Sequence, residues 1–428
     1  MNNIKKNCIN CKKNKLKKIV NLGAQPLSGI FYKRIPKKLK KFPLDLYICQ
    51  NCKLVQLLKT AKKNLMFGKF YEYRTSLSNL MISHLRKKIK YLNNKKYINK
   101  SSSVLDIGSN DGTFLNSLNC NKLYGADPTA YKFKKYYKKK INIINNFFSK
   151  NNIENYFSKK KQKLNTFDLI TSFAMFYDVD DPNSFCKDIN SLLKPNGIWM
   201  LELSYLPLML KNLTYDQICH EHISYYSFSV FEKIAKKNNL KVIDVSLNEI
   251  NGGSIEIICS KKNSKINVRN LKIKELLNDE KKININSYKN FNKRINNTKN
   301  LMKNFIDKKS DKNIIGYGAS TKGNVVLNHC KINNLQIKKI CDGSSKKIGS
   351  YTPGSNIKII SKNQMRKEKP DYLWVLIWSF RKEVIQQELS FLKMGGKLVF
   401  HLPRFHIVDI SNYKSFLKKN FNKLAYNY

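Results

Sequence analysis

The sequence predicts an α/β protein in which two strand–turn–helix units follow a small metal-binding module. Three observations support this. Two Cys-x-x-Cys pairs lie within the first 52 residues, a buried strand runs into a glycine turn after residue 103, and a second such turn follows residue 313. We therefore predict a zinc-binding module, a catalytic core, a helical linker and a C-terminal domain, at residues 1–62, 63–260, 261–312 and 313–428.

The chain is strongly basic, with 81 Lys and Arg against 29 Asp and Glu and a formal net charge of +52. Such a charge can indicate a nucleic-acid partner. The lysines are scattered, however, and mixed with Asn and Ile, and no nucleic-acid-binding motif accompanies them. We interpret them as solvated faces that could attract an anionic substrate. No apolar run is long enough for a membrane span and no signal peptide begins the chain, so we expect a cytoplasmic protein without a membrane partner.

The first module is defined by Cys8, Cys11, Cys49 and Cys52, two pairs with the spacing of zinc knuckles. Four thiolates complete the tetrahedral set of a structural zinc ion and leave no open position for chemistry. A module of this size has a small core, so a bound metal would stabilise it. The alternatives are four unrelated thiols or a redox-active pair.

The first glycine turn lies in "SVLDIGSNDGTFLNSL", where Gly108 and Gly112 separate a buried strand from a helix. The spacing is not that of a dinucleotide-binding turn, and there is no Walker lysine. The turn resembles that of class I S-adenosylmethionine-dependent methyltransferases. The resemblance implies that Asp106, Gly108, Asn110 and Gly112 contact the cofactor and that Asp127 binds its ribose. "FDLI" and "LLKPNGIWMLEL" follow in the family's order. The alternative is a Rossmann-like fold without this cofactor.

Two of the six histidines lie in "YDQICHEHISYYS", as His220-Glu221-His222. This segment follows a predicted strand, and ligands of open α/β sheets bind beyond the carboxyl ends of strands. In an extended loop the two histidines would share a face. Neither the H-E-x-x-H spacing nor a third nearby ligand is present, so acid/base chemistry is the better interpretation. The alternative is a structural pair of histidines.

The motifs together resemble the sugar C-methyltransferases that have an N-terminal zinc-binding domain. The order is the double Cys-x-x-Cys, "YEYRTSLSNLMISHL", "CHEHISYYS", "INGGSIEI", "GYGASTKGNVVL" and "TPGSNIKII". The resemblance implies a class I methyltransferase Rossmann-like core, a second C-terminal Rossmann-like domain, and a nucleotide-linked 4-keto-deoxysugar as the small-molecule substrate.

The resemblance also implies a mechanism. A ketone acidifies the proton on the neighbouring carbon, a base removes it, and the enolate carbon takes the methyl group. His222 is the candidate base, Glu221 would orient or bind the sugar, and Tyr71 or Tyr73 would hold the enolate oxygen. His220 completes the candidate catalytic set. For either tyrosine the alternative is ordinary core packing.

Two positions depart from the family pattern. The residue before His-Glu-His is Cys219, where the best-understood members have tyrosine. The loop after "FDLI" reads "AMFYDVDDP" with Tyr177, where those members carry a histidine. These departures affect the prediction of the substrate and of the acid/base set. We interpret Cys219 as a packing residue.

Near-helical spacing predicts one long amphipathic helix in the linker, with these apolar positions: Tyr288, Phe291, Ile295, Met302 and Phe305. In the C-terminal domain, "GYGASTKG" resembles a phosphate-binding turn but is not a P-loop. Ser320 or Lys322 is the candidate for binding the substrate diphosphate. The alternative is a purely structural second Rossmann-like layer.

Three alternative functions are consistent with parts of the sequence. The same scaffold could methylate a sugar hydroxyl or another small metabolite. The charge allows a zinc-containing RNA-binding or RNA-modifying protein. A noncatalytic assembly protein could retain a methyltransferase fold.

Overall fold

The computed structural model describes residues 3–4, 7–67, 71–164 and 166–419. The N-terminal module contains five strands: β1 (Asn3–Ile4), β2 (Leu16–Gln25), β3 (Phe42–Cys49), β4 (Val55–Leu57) and β5 (Lys59–Thr60). β2, β3 and β4 form an antiparallel sheet, and β1 pairs with β5. Cys8 and Cys11 precede β2, while Cys49 ends β3 and Cys52 follows it.

The central sheet is built from strands that alternate with helices. The strands of residues 71–261 are β6 (Ser103–Ile107), β7 (Lys122–Ala126), β8 (Ile141–Ile144), β9 (Phe167–Phe173), β10 (Leu193–Ser204), β11 (Ser224–Tyr225), β12 (Leu240–Asn248) and β13 (Ser254–Lys261). The helices of residues 63–237 are α1 (Lys63–Met66), α2 (Asn79–Asn94), α3 (Thr113–Asn116), α4 (Lys150–Lys159), α5 (Pro182–Leu192), α6 (Leu206–Asn212) and α7 (Phe228–Lys237).

The order of the seven-stranded sheet is β12-β13-β10-β9-β6-β7-β8. β10, β9, β6, β7 and β8 run parallel, and β13 is antiparallel to both β10 and β12. The strand order reverses beside β6, which places a crevice at the carboxyl ends of β6, β7 and β9. This arrangement confirms the predicted α/β core. β11 instead pairs with β4, so a strand from the predicted core joins the sheet of the zinc module.

The linker contains two helices rather than the single one predicted, α8 (Asn270–Glu280) and α9 (Ile285–Lys308). The chain breaks between them because Asn284 caps α9, and its side chain accepts a hydrogen bond from the Asn286 amide. The predicted apolar positions lie on α9. Four of them are buried, and Phe305 is partly buried against the same core.

The C-terminal domain is a second α/β unit, as predicted. Its strands are β14 (Ile314–Tyr317), β15 (Lys339–Asp342), β16 (Lys358–Ser361), β17 (Tyr372–Val375), β18 (Lys397–Phe400) and β19 (His406–Val408). Its helices are α10 (Thr321–Cys330), α11 (Lys362–Lys367), α12 (Arg381–Gln387), α13 (Leu389–Lys393) and α14 (Tyr413–Lys418). The sheet order is β16-β15-β14-β17-β18-β19, and only β19 is antiparallel.

Short 3₁₀ helices connect several of these elements, at Thr75–Leu77, Ala130–Tyr136, Phe176–Asp178, Tyr215–Gln217, Ile250–Gly252 and Trp378–Phe380. Within the described ranges, every helix is too short or too polar to cross a bilayer.

Candidate active site

The glycine turn between β6 and α3 is closely packed. Gly108 and Gly112 adopt φ values of +73° and +74°, a region that side chains disfavour. A Cβ on Gly112 would lie 2.7 Å from the ring of Tyr137, and one on Gly108 would lie 3.1 Å from Cγ of Met175. The turn therefore needs glycine at both positions. Without side chains there, its backbone can approach a ligand at the edge of the sheet.

Asp127 directly follows β7, the next strand along the chain. Its Oδ2 accepts from the Asn110 amide at 2.9 Å, and its Oδ1 accepts from the amide and hydroxyl of Thr129, both at 2.6 Å. Burial raises the pKa of Asp127, against the effect of these hydrogen bonds. The glycine turn and the acid are thus held together, as the ribose-binding prediction requires.

Asp106 lies within β6, one residue from the end of the strand. It accepts a hydrogen bond from the Thr171 hydroxyl at 2.6 Å. Burial raises the pKa of Asp106 to about 7, although the Thr171 hydrogen bond opposes the shift. Thr171, on the neighbouring strand β9, was not singled out by the sequence analysis.

A cavity opens at the carboxyl ends of these strands. Four of the predicted cofactor residues line it: Asp106, Gly108, Asn110 and Asp127. Gly112 does not line the cavity and packs against Tyr137 instead. The other walls of the cavity include these residues from four further segments: Lys63, Phe67, Tyr71, Tyr73, Thr75, Phe147, Phe148, Phe173, Met175, Asp178 and Glu202. The predicted cofactor residues are therefore brought together around one elongated space between aromatic walls.

The segment from Tyr71 to Leu77 lies over this cavity and is hydrogen-bonded to the glycine turn. Asn110 donates from Nδ2 to the Tyr73 carbonyl at 3.0 Å and accepts at Oδ1 from the Thr75 amide at 3.0 Å. The Lys132 ammonium group donates to the Tyr71 carbonyl at 2.6 Å. The tyrosine-containing motif is thus placed over the cofactor residues. Tyr73 is 51% exposed, while Tyr71 is partly buried.

Replacing Asp127 with alanine is expected to weaken S-adenosylmethionine binding about 10- to 100-fold, because a charge-assisted hydrogen bond contributes roughly 1.5–3 kcal/mol. Titration calorimetry measures this directly. Asp168→Asn is the matched control, since Asp168 binds the Ser103 amide and Lys194 at the opposite end of the same sheet. Equal affinities in the Asp127 variant and the wild type would contradict the ribose-binding prediction.

A buried charge cluster at the end of β10 was missed by the sequence analysis. Glu202 accepts from His84 Nε2 at 2.8 Å, from Lys88 at 2.7 Å and from Asn248 at 2.7 Å. Burial raises the pKa of Glu202, but Lys88 and His84 outweigh it and lower the value to about 2. Lys88 also pairs with Glu256. The sequence did show an acidic residue, Glu202, near the end of the strand "MLELS". Its partners His84 and Lys88 lie on α2, more than a hundred residues earlier, so the cluster could not be recognised from sequence.

The HEH loop (residues 218–223) contains His220, Glu221 and His222. Backbone hydrogen bonds connect it to two other segments. The Ile223 amide donates to the Tyr177 carbonyl at 2.9 Å, and the Leu57 amide donates to the Ile223 carbonyl at 2.9 Å. Tyr177 follows β9 and Leu57 ends β4. The loop therefore joins the edge of the cofactor cavity to the zinc module.

The two histidines face different surroundings, contrary to the shared face expected for an extended loop. His220 is fully buried, and its Nε2 donates to the Phe42 carbonyl of the zinc module at 3.2 Å. The His222 ring lies 4.2 Å from the Tyr177 ring, centre to centre. The hydrogen bond between the His222 amide and the Cys219 carbonyl closes a turn, which reverses the direction of the side chains. Neither ring lines the cavity itself.

His222 is kept neutral by its surroundings. Burial and then the charge of Lys322 lower its pKa to about 3, while a hydrogen bond to the Gln217 carbonyl opposes the shift. Tyr225 also donates to the Gln217 carbonyl, at 3.2 Å.

Glu221 lies under the zinc module. A Cβ on Gly29 would come within 2.8 Å of Glu221 Oε1. Burial raises the pKa of Glu221, and a hydrogen bond from the Cys219 side chain opposes this shift. Cys219 is itself buried and lies in the main apolar core, consistent with the packing role predicted for it.

Of the two residues predicted to bind diphosphate, only Lys322 faces this region. Lys322 donates to Asn251 Oδ1 at 3.2 Å, and burial lowers its pKa against the opposing charge of Asp216. Ser320 instead caps α10, accepting from the Gly323 amide at 3.0 Å. The C-terminal domain thus contributes a cation beside His222, and contact with a diphosphate stays a prediction for both residues.

The four cysteines of the N-terminal module form a compact cluster. Their Sγ atoms all lie within 4.8 Å of one another, with Cys8 to Cys52 at 3.5 Å and Cys11 to Cys49 at 3.6 Å. Thiolates bound at about 2.3 Å to a tetrahedral zinc ion would be roughly 3.8 Å apart. The side chains therefore fit a four-thiolate zinc site.

Three family models match successive parts of the chain. Residues 8–67 match a zinc binding domain, residues 78–245 a methyltransferase domain, and residues 249–403 a C-methyltransferase C-terminal domain.

A curated relative and two solved structures resemble the chain. "C-methyltransferase NovU" from Streptomyces niveus is 27% identical over 375 residues, which cover 86% of this chain and 88% of that protein. An S-adenosylmethionine-dependent methyltransferase from Mesorhizobium loti is 9% identical, covering 41% of this chain and 99% of that one, with a TM-score of 0.31. The mitomycin 7-O-methyltransferase MmcR is 11% identical, covering 44% and 55%, with a TM-score of 0.33. Scores this low add no argument to the sheet topology.

Proposed function

We propose a specific activity for this methyltransferase, whose chain matches family models for a methyltransferase domain and a C-methyltransferase C-terminal domain. The enzyme methylates a carbon atom of a nucleotide-linked 4-keto-deoxysugar. One observation carries this proposal: the loop that contains His222 is hydrogen-bonded, through the Ile223 amide, to the Tyr177 carbonyl beside the cavity-lining Asp178.

The cavity residues suit the cofactor. Asp127 would bind the ribose hydroxyls, and the glycine turn would pass the methionine portion, while Asp106 and Asn110 position both. When bound, S-adenosylmethionine supplies an electrophilic methyl group. The aromatic walls and the covering Tyr71–Leu77 segment exclude water from that group.

The HEH loop would supply the base. Carbon methylation requires removal of a proton from a carbon next to the ketone, and a general base must be unprotonated to accept it. Burial and the charge of Lys322 lower the pKa of His222 to about 3, which favours the unprotonated ring. We assign proton removal to His222.

The remaining predicted residues would hold the acceptor. Tyr71 lines the cavity and would hold the enolate oxygen between cofactor and acceptor. Glu221 would accept a sugar hydroxyl, and Lys322 would attract the anionic diphosphate. Tyr73 would close the site from the solvent side.

The zinc ion is assigned a structural role, because four thiolates leave no position for a substrate.

A substrate panel tests the proposal. Purified, zinc-loaded protein is incubated with labelled S-adenosylmethionine and several nucleotide-linked 4-keto-deoxysugars, and the position of the methyl group is determined by mass spectrometry and NMR. We expect a carbon-bound methyl group, and exchange of the proton next to the ketone in D₂O. Transfer to oxygen without such exchange would replace the proposal with O-methylation. Cofactor binding without transfer to any keto-sugar would exclude this substrate class.

A further inference from the structure

Asp178 lies where the cofactor cavity meets the HEH loop, five residues after β9 ends. It lines the cavity, yet its Oδ1 is buried and has no hydrogen-bond partner among the described residues. Buried carboxyl oxygens are rarely left without a partner, because an unmade hydrogen bond there is costly. A ligand in the cavity that Asp178 lines could supply a partner for its carboxyl group.

A second carboxyl group shares this situation. Oε2 of Glu221 is also buried and without a hydrogen-bond partner among the described residues. Burial raises the pKa of Asp178 well above its usual value, Glu221 raises it further, and Lys63 opposes the shift. Two neighbouring carboxyl groups in a water-poor site do not both ionise, so one of them keeps a proton.

The groups around Asp178 come from four segments. Its titratable neighbours are Lys63 on α1, Tyr71 on the covering segment, Tyr177 beside it, and Cys219, Glu221 and Tyr225 on and after the HEH loop. Lys63 is the single cation among them, and it pairs with Asp180 at 2.9 Å. The surroundings therefore favour a neutral Asp178, which can donate a hydrogen bond.

We propose that Asp178 is a further catalytic residue, a neutral carboxylic acid that donates a hydrogen bond to the carbonyl oxygen of the acceptor. This rests on the proposed function. When the C–H bond breaks, the proton passes to His222, and its electron pair forms the C=C bond of the enolate. Negative charge then develops on the oxygen that faces Asp178, which keeps its proton. A donor directed at such charge contributes about 10²- to 10³-fold in rate.

The role complements the one assigned to the tyrosines. Tyr73 and Asp178 both line the cavity, so both can face the acceptor oxygen. Asp178 was not singled out by the sequence analysis, which focused on Tyr177 in the same loop. Only the fold shows that Asp178 combines a cavity-lining position with an unpartnered buried oxygen.

Two substitutions test the proposal, Asp178→Asn and Asp178→Ala. The asparagine amide keeps a neutral donor, and alanine removes it. We expect Asp178→Ala to slow deuterium exchange next to the ketone, measured with S-adenosylhomocysteine bound, by about 10²- to 10³-fold. Asp178→Asn should remain within about tenfold of the wild type. The wild-type rate should fall as pH rises through the pKa of Asp178, since ionisation removes the donor, and this decline should be absent in Asp178→Asn.

Cofactor affinity, measured by calorimetry, shows that each variant is folded. Asp279→Asn on the exposed surface of α8 is the matched control. The inference is overturned if Asp178→Asn is as slow as Asp178→Ala, or if Asp178→Ala exchanges at the wild-type rate. If the wild type binds cofactor but neither exchanges nor methylates any keto-sugar, the proposed function fails and this inference fails with it.

Discussion

His222→Ala is expected to lower the rate of methyl transfer by about 10²- to 10⁴-fold, the usual contribution of a general base. Affinity for S-adenosylmethionine should be unchanged, because His222 does not line the cofactor cavity. Single-turnover transfer from labelled cofactor measures the chemical step separately from product release. Deuterium exchange next to the ketone should fall by the same factor, since both reactions require the same proton removal.

The control for this substitution is His406→Gln. His406 also has a lowered pKa through burial, but it stacks between Phe400 and Phe416 in the C-terminal domain. It should retain wild-type transfer per folded molecule. A His222→Ala protein that keeps a third or more of the wild-type rate would remove His222 from the chemistry. Loss of transfer with unchanged exchange would instead assign proton removal to another group.

Loss of the zinc site is expected to have the largest effect on stability. Structural zinc contributes roughly 10–16 kcal/mol of apparent binding free energy in small domains at neutral pH. Cys49→Ser, or removal of zinc by a chelator, should lower Tm by on the order of 10 °C or more and abolish methyl transfer. Activity should be lost because β4 pairs with β11, the Phe42 carbonyl holds His220, and Gly29 packs on Glu221.

Differential scanning calorimetry and metal analysis check this prediction. Cys120→Ala is the matched control, a buried cysteine far in sequence from the module that has no part in the four-thiolate cluster. Its zinc content should be unchanged and its Tm should fall by a few degrees at most. Wild-type protein that holds no zinc after expression with excess metal, or a Cys49→Ser variant with unchanged Tm, would contradict the assignment.

The features that could be recognised from sequence are local in the chain. Gly108 and Gly112 are recognisable because a tight strand-to-helix turn requires positive φ within a few residues. Asp127 is recognisable because it directly follows the next strand. The four cysteines lie in two pairs whose spacing alone suggests a metal site, and the structure brings their Sγ atoms together.

The features that sequence could not reveal depend on contacts between distant segments. His220 and His222 were expected to share a face, but a turn closed by the Cys219 carbonyl directs one to the zinc module and the other to Tyr177. Ser320 and Lys322 are two residues apart, yet the first caps α10 while the second reaches Asn251. Spacing along a loop does not determine such directions.

The sequence by itself predicted the class of this protein, the glycine turn after β6 and the clustering of the four N-terminal cysteines. Each of these depends on backbone conformation or ligand spacing within a short segment. Only the tertiary structure decided the composition of the acid/base site. Burial and the charge of Lys322 lower the pKa of His222, and burial and the charge of Glu221 raise the pKa of Asp178. These pKa shifts appear only when four segments that are distant in sequence pack together and exclude water. The reason is that electrostatic effects depend on distance in space and on desolvation.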